Sequence, residues 1–370
     1  MKQLCCRFLC VLAALLLCLT AALGEGSEVV ATVNGEDLTR ADYTDLLARH
    51  MALYGKQLDL LDPSVMAYVD DLALTAAIQR LLLRQDMRAQ GCFDLDAETE
   101  AWCQEQGEAA YAQALADVGE MLRQKQGLPA DADMTQAARD YAAQQQVTVE
   151  DYTAVFREQY ASAQYDAWLT REDPVTPEQV DQAYAQRIAA DEARYAQDVV
   201  AFETALQSGQ EVWYTPAGYR SVLQILLPAQ GATDAEKLAS VAEQTAEIEA
   251  RLQAGEAFAE LIGVYGTDRA MQHADFLHTG YQVHRDSVVW EDAFVEAAFA
   301  MEAPGDWSAP IASDKGVHIL YYLKDVPAGA VPLTEDLRGA LQYTLYAERS
   351  QTLRDARLEE LSDAAEVVLP

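Results

Sequence analysis

The stretch Gly316–Leu323 reads "GVHILYYL". Side chains alternate across a strand, so Val317, Ile319, Tyr321 and Leu323 share one face while His318, Leu320 and Tyr322 share the other. The run reads as a buried strand in which His318 is a misfit. A second stretch carries the same anomaly: in "YRSVLQILL", Tyr219–Leu227, Gln224 lies on the face of Val222 and Leu226. If the two strands are neighbours, Gln224 and His318 face one interior, where each can satisfy the other. Polar groups on central strands cost free energy unless they are paired or useful. On these residues alone two readings stay open, a structural hydrogen bond or the start of a site.

Around these strands the texture is mixed. "WYTPAGYRSVLQILLP", from Trp213, is β-branched and aromatic. "TDAEKLASVAEQTAEIEARLQAG" reads as one helix, opened by a capping box of Thr233 and Glu236 and carrying Leu238, Val241, Thr245, Ile248 and Leu252 on one face. A short helix "EAFAELIGVYG", a histidine-rich loop, a helix "WEDAFVEAAFAM" and the turn "APGDWSAPI" lead into the "GVHILYYL" strand. Strands and helices alternate without a βαβ rhythm, so the class is α+β: a small antiparallel sheet with surrounding helices.

The rest of the chain is mostly helical. "EVVATVNGEDLTRADY" opens with a strand at Val29–Val33, a turn at Asn34–Gly35 and a helix start at Thr39 and Asp42. Helices follow to about Trp168, with breaks near Gly127–Pro129 and Asp173–Pro174, and "VTPEQVDQAYAQRIAADEARYAQDVVAFETAL" reads as one more helix begun at Thr176–Pro177. After Pro332 helix returns until about Ala365, and the closing "EVVLP" is too short to stand alone, so it is expected to pair with Val29–Val33. The expected organisation is a signal peptide over 1–24, a helical module over 25–172, a helical linker arm over 173–212, the α+β unit over 213–327, and a helix and strand over 328–370 that pack back on the first module.

The leader reading rests on Lys2 and Arg7, the apolar run "FLCVLAALLLCLTAAL" and the small residues "ALG" at Ala22–Gly24. The apolar run is shorter than the roughly 20 residues that span a bilayer comfortably, which favours a cleaved signal. Lipidation at Cys18 is the rival route and would tether the chain to a membrane; either route places the mature chain outside the cytoplasm. Four of the six cysteines lie in this leader, leaving Cys92 and Cys103, which in an exported chain can pair or stay free. The 370 residues are enough for two or three modules. With 60 acidic against 26 basic residues and a net charge of −34, nucleic acid is dropped as a partner and nonspecific binding to an anionic membrane surface is disfavoured.

Seven short matches, in order and at compatible spacing, carry a resemblance: "QIL", "GEAFAELI", "YGTD", "ADFLHTG", "FVEAAF", "GDWSAPI" and "GVHIL". The stretch Tyr219–Val326 resembles a parvulin-type peptidylprolyl isomerase domain, and the flanking chain is similar to exported foldases and chaperones of the PrsA-like and SurA-like family. The resemblance implies a pocket for a proline ring beside a network of paired histidines with an acid or thiol nearby. Carried over, His318 matches the second histidine, Asp268 the acid or thiol, Phe294 the aromatic under the proline ring, and Trp290 and Phe276 the apolar walls; Phe299, in the same "FVEAAF" match, joins the substrate-binding set. The chain departs from the pattern in three places. Gln224 stands where the first histidine belongs, His278 replaces a loop glycine, and Trp290 is bulkier than the usual methionine.

Rotation about an X-Pro bond crosses a barrier of roughly 18–20 kcal/mol because the twisted state loses amide resonance. Neither nucleophile nor metal is required, so no cofactor is expected. His273, His278 and His284 lie close in sequence, but their spacing matches no metal motif. Two functions are therefore carried forward. The first is an extracytoplasmic prolyl isomerase and chaperone acting on unfolded or partly folded exported polypeptides that contain X-Pro bonds; the second is a holdase whose isomerase-like unit has lost turnover and only docks chains.

Overall fold

The computed structural model describes residues 28–54 and 62–370, so the cleavage expected after Gly24 and the alternative lipidation at Cys18 lie outside the described residues. In chain order the elements are β1 (Val29–Val33), β2 (Glu36–Thr39), α1 (Arg40–Tyr54), α2 (Pro63–Ala89), α3 (Ala97–Lys125), α4 (Thr135–Gln144), α5 (Val149–Thr170), α6 (Pro177–Tyr195) and α7 (Val199–Gln207). Then come β3 (Tyr214–Thr215), β4 (Arg220–Leu227), α8 (Asp234–Ser240), α9 (Ala242–Gln253), α10 (Phe258–Tyr265), a 3-10 turn at Ala270–Gln272, α11 (Ala274–Thr279), β5 (Tyr281–Val283) and α12 (Asp292–Ala300). The chain closes with β6 (Ile311–Ser313), β7 (Gly316–Asp325), β8 (Gly329–Ala330), α13 (Glu335–Ala364) and β9 (Val367–Val368). The class is α+β. Among the described residues no helix is long and apolar enough to cross a membrane.

Two compact units divide the chain. One comprises residues up to 174 together with 345–370, and the other comprises 175–344. Of the linker arm expected over 173–212, residues 175–212 thus cluster with the α+β unit, as do 328–344.

In the helical unit β1 pairs antiparallel with β2 on one side and with β9 on the other, Thr32 opposite Val368 and Val33 opposite Val367. Ala31, Val33 and Leu38 turn inward onto Tyr43, Val69, Ala73, Ala77 and Leu81, with Leu358 and Leu361 of α13 packed against them. α3 meets α5 at a glycine: a Cβ on Gly107 would lie 2.3 Å from Thr153 Oγ1. Asp86 of α2 is buried and accepts both Arg357 nitrogens at 2.9 Å and the Tyr165 hydroxyl at 2.5 Å. Cys92 and Cys103 are buried free thiols.

In the α+β unit a four-stranded antiparallel sheet runs in the order β5-β4-β7-β6. Both faces are covered. Leu223, Ile225, Leu227, Val317 and Ile319 pack under Val241, Ile248, Leu252, Phe258, Leu261 and Ile262. On the opposite face Val222, Leu320 and Tyr322 pack against Phe294, Ala298 and Met301, mostly of α12. Trp213 anchors α6 to this unit through its backbone N–H, which donates to Asp191 at 2.6 Å.

Three local expectations are corrected. The helix read over Thr176–Leu206 is two, because Asp198 caps a new helix at the Ala201 N–H (2.9 Å) and the break lets the buried rings of Tyr195 and Phe202 meet edge to face. The helix opened by the Thr233 and Glu236 capping box also breaks, at Val241, although Val241, Thr245, Ile248 and Leu252 are all buried as its periodicity requires. Glu36–Thr39, read only as the approach to a helix, is the hairpin partner of β1.

Candidate isomerase site

The face of the central strands toward α12 carries the polar misfits. Gln224 stands opposite Leu320 and His318 opposite Leu226, so the two are diagonal neighbours on one face. They are hydrogen-bonded, His318 Nδ1 to Gln224 Oε1 at 2.7 Å, and both are buried. From His318 the network runs to β6, where Ser313 Oγ lies 2.6 Å from Nε2. From Gln224 it runs to Asp268, which accepts the amide at 2.5 Å. Asp268 also accepts the Tyr281 hydroxyl at 2.8 Å and the Ala270 N–H at 3.0 Å. Its loop is tied down next door, where the Thr267 N–H and hydroxyl both donate to Leu226 O at 2.9 Å.

The proton positions follow from counting donors. The other amide orientation would set an oxygen against the Asp268 carboxylate, so the Gln224 nitrogen faces Asp268 and its oxygen can only accept from His318. Nδ1 of His318 therefore carries the proton. Burial drives the His318 pKa down to about 4, with the charge of Lys315 adding to the fall and Asp268 opposing it, so the ring is neutral near pH 7. Nε2 then accepts from Ser313, whose oxygen in turn accepts the Lys315 N–H at 3.0 Å. Every donor from Ser313 onward points the same way, toward Asp268.

An aromatic group sits beside this network. Phe294 meets His318 edge to face with centroids 5.5 Å apart, and Trp290 stacks on Phe294 at 4.6 Å. Tyr281 lies 5.0 Å from Trp290 and 5.7 Å from Phe276, which is 37 % exposed. Burial, then the hydrogen bond to Asp268 and its charge, pushes the Tyr281 hydroxyl pKa up, so it stays a donor. The structure thus brings together Gln224, His318, Asp268, Phe294, Trp290 and Phe276. Phe299 packs on the same buried cluster as Phe294, and the guanidinium groups of Arg220 and Arg285 also lie 4.8 and 4.5 Å from its ring centroid. A surface cavity of about 510 Å³ beside Ala297, Met301 and Trp307 includes none of these candidate residues. Among the described residues no cluster of three or more His, Cys, Asp or Glu is placed to hold a metal ion.

Two members were missed in the sequence. Ser313 was legible: it opposes Gly316 across a two-residue turn, which puts it on the face of His318. Tyr281 carried no such signal, because only the pairing of β5 with Val222 of β4 brings it to Asp268.

A planar X-Pro amide is more polar than the twisted one, so aromatic rings beside a neutral imidazole would disfavour the planar form relative to the twisted form of an amide set against them. The geometry offers that environment and no activated nucleophile.

No curated protein sequence matches the chain. Among solved structures, PrsA from Bacillus subtilis is 14% identical, with 92% of this chain and 93% of that chain covered and a TM-score of 0.25. A Campylobacter jejuni structure from work on two SurA-like chaperones, the virulence factor PEB4 and the periplasmic protein Cj1289, is 14% identical over 93% of this chain and 100% of that chain, with a TM-score of 0.31. The family model for the rotamase, PPIC-type PPIase domain matches residues 225–324, beginning immediately after Gln224 and taking in Asp268, Phe276, Tyr281, Trp290, Phe294, Ser313 and His318. Residues 225–324 of this chain thus match the model of a PPIC-type, that is parvulin-type, peptidylprolyl isomerase domain.

Proposed function

We infer that the chain is an extracytoplasmic foldase, combining prolyl isomerisation with chaperone binding of unfolded exported polypeptides. The observation that carries this reading is the aromatic floor of Phe294 and Trp290 set against a neutral, fully hydrogen-bonded His318. Phe294 underlies the proline ring, Trp290 and Phe276 flank it, and His318, Gln224 and Asp268 present the polar edge to the rotating amide. Such a site speeds a step that is otherwise slow, taking tens to hundreds of seconds uncatalysed. No cofactor enters this scheme. The leader supports export, and the helical unit supplies the chaperone surface, with Leu53, Tyr68 and Met121 among its exposed apolar residues.

One residue favours a second reading, a holdase without turnover. Gln224 fills the place of a histidine and ties His318 into a one-way network. A protease-free isomerisation assay on a proline peptide, run beside light scattering of an aggregating client, separates the two. Wild type is expected to turn over weakly, Gln224→His to raise the rate about tenfold, corresponding to about 1.4 kcal/mol, and Phe294→Ala to abolish it, with suppression of aggregation surviving in all three. No rate in wild type and none restored by Gln224→His would leave the holdase.

A further inference from the structure

Glu203 of α7 lies outside the stretch matched by the isomerase family, yet it is buried at 5 % exposure. Its two carboxylate oxygens have different partners. Oε1 accepts the Tyr219 hydroxyl at 3.3 Å, and Oε2 accepts the Val288 N–H at 3.0 Å. Val288 belongs to the loop between β5 and α12, and its own side chain is 65 % exposed, so this loop residue is held through its backbone. Two residues on, Trp290 turns back, donates its indole N–H to Gln282 O at 3.0 Å, and stacks on Phe294.

The same loop is gripped at its other end. His284 accepts the Asp286 N–H at Nδ1 (3.0 Å) and so donates from Nε2 to Ala217 O (3.1 Å). Its ring lies 5.0 Å from Tyr219, which lies 5.3 Å from Phe202 of α7. Gly218, at φ 97°, passes so near that a Cβ there would meet His284 Nε2 at 2.7 Å. Tyr195, Phe202, Ala205 and Tyr219 form a buried cluster of their own behind these contacts. A carboxylate placed in such an environment to accept a single loop N–H and one hydroxyl fixes the backbone it holds.

We propose that Glu203 is a positioning residue for the isomerase site: from the helical arm it clamps the His284–Trp290 loop and so sets the Trp290 wall over Phe294. The inference rests on the isomerase reading above for its consequence in turnover, but the clamp itself is readable without turnover. The clamp also implies that the matched stretch by itself carries an unbraced wall.

The test uses the full chain labelled with 5-fluorotryptophan, with the Trp290 fluorine resonance assigned by Trp290→Phe. In Glu203→Ala the Trp290 resonance is expected to move toward that of an exposed indole, and KM for a proline peptide to rise about tenfold with kcat within about threefold of wild type. Glu203→Gln, whose amide oxygen still accepts the Val288 N–H, is expected to restore both. Loss of kcat at unchanged KM would mark simple loss of folded protein and overturn the proposal, as would a Trp290 resonance unmoved in Glu203→Ala. Should Glu203→Ala fail to fold, Val288→Pro removes the loop donor at an exposed position and carries the same expectations. If wild type turns over no peptide, the isomerase reading falls, and the fluorine resonance alone decides whether the clamp exists.

Discussion

In the helical unit a buried acid is held by an ion pair, while on the central strands of the α+β unit the buried polar network is neutral. Asp86 meets Arg357 through two nitrogens, with Tyr165 and Gln90 adding hydrogen bonds. Burial pushes its carboxyl pKa up, but these donors outweigh burial and hold it below the usual carboxylate range. Gln224, His318 and Ser313 satisfy one another without a charge among them, and the network ends at Asp268, which is only partly buried. The difference teaches what each cluster is for. A charge pair held by several partners fixes one geometry, here the attachment of α13 to α2 within the helical unit. A neutral network beside aromatic rings leaves no buried charge next to the apolar rings of Phe294 and Trp290.

If the two clusters work on these different terms, they break differently. The largest effect is expected from Arg357→Ala, which strands the Asp86 carboxylate and should lower the stability of the helical unit by about 3–5 kcal/mol. Denaturant unfolding followed by probes in each unit checks this, and an equal loss in the α+β unit would contradict the assignment.

Acid should act on the other cluster. Because the His318 pKa falls from 6.5 to about 4 on folding, the unfolded chain takes up a proton first as pH drops. Its contribution is fully present above pH 6.5 and is lost as pH falls toward 4, by about 3 kcal/mol at most. Thermal melts of wild type and His318→Gln across this window read it. The α+β transition should lose this component of its pH dependence in the variant, and an unchanged slope would sink the neutral-imidazole assignment.

The smallest effect sharpens the comparison from the other side. Tyr195 is fully buried and its hydroxyl has no hydrogen-bond partner among the described residues, a defect neither network shows. Tyr195→Phe should stabilise the α+β unit by about 1 kcal/mol, a rise of about 2–4 °C in its transition for a unit of this size. No change, or a loss, would mean that the hydroxyl is satisfied in solution.

What the sequence determined was whatever depends on period and order. Alternation in "GVHILYYL" and "YRSVLQILL" put His318 and Gln224 on one face, since a strand has only two. The ordered matches from "QIL" to "GVHIL" located Asp268, Trp290 and Phe294 in one site although they lie far apart along the chain. Short-range chemistry also spoke, through the Thr233 capping box and the Thr176–Pro177 helix start, each present in the fold. Tertiary structure decided what depends on which surfaces meet. Helix propensity runs through Ala196–Asp198, and the meeting of Tyr195 with Phe202 and Tyr219 adds to the Asp198 cap in making a break there favourable. Tyr281 reaches Asp268 because β5 pairs with β4 in one register, and a slip of one residue would turn it to the other face. Phe299 shares a helix and a buried cluster with Phe294, and only the fold shows that its ring also meets Arg220 and Arg285. Glu203 gave no signal at all: an acid on a helix in a chain with 60 acidic residues reads as solvated surface until the fold closes over it.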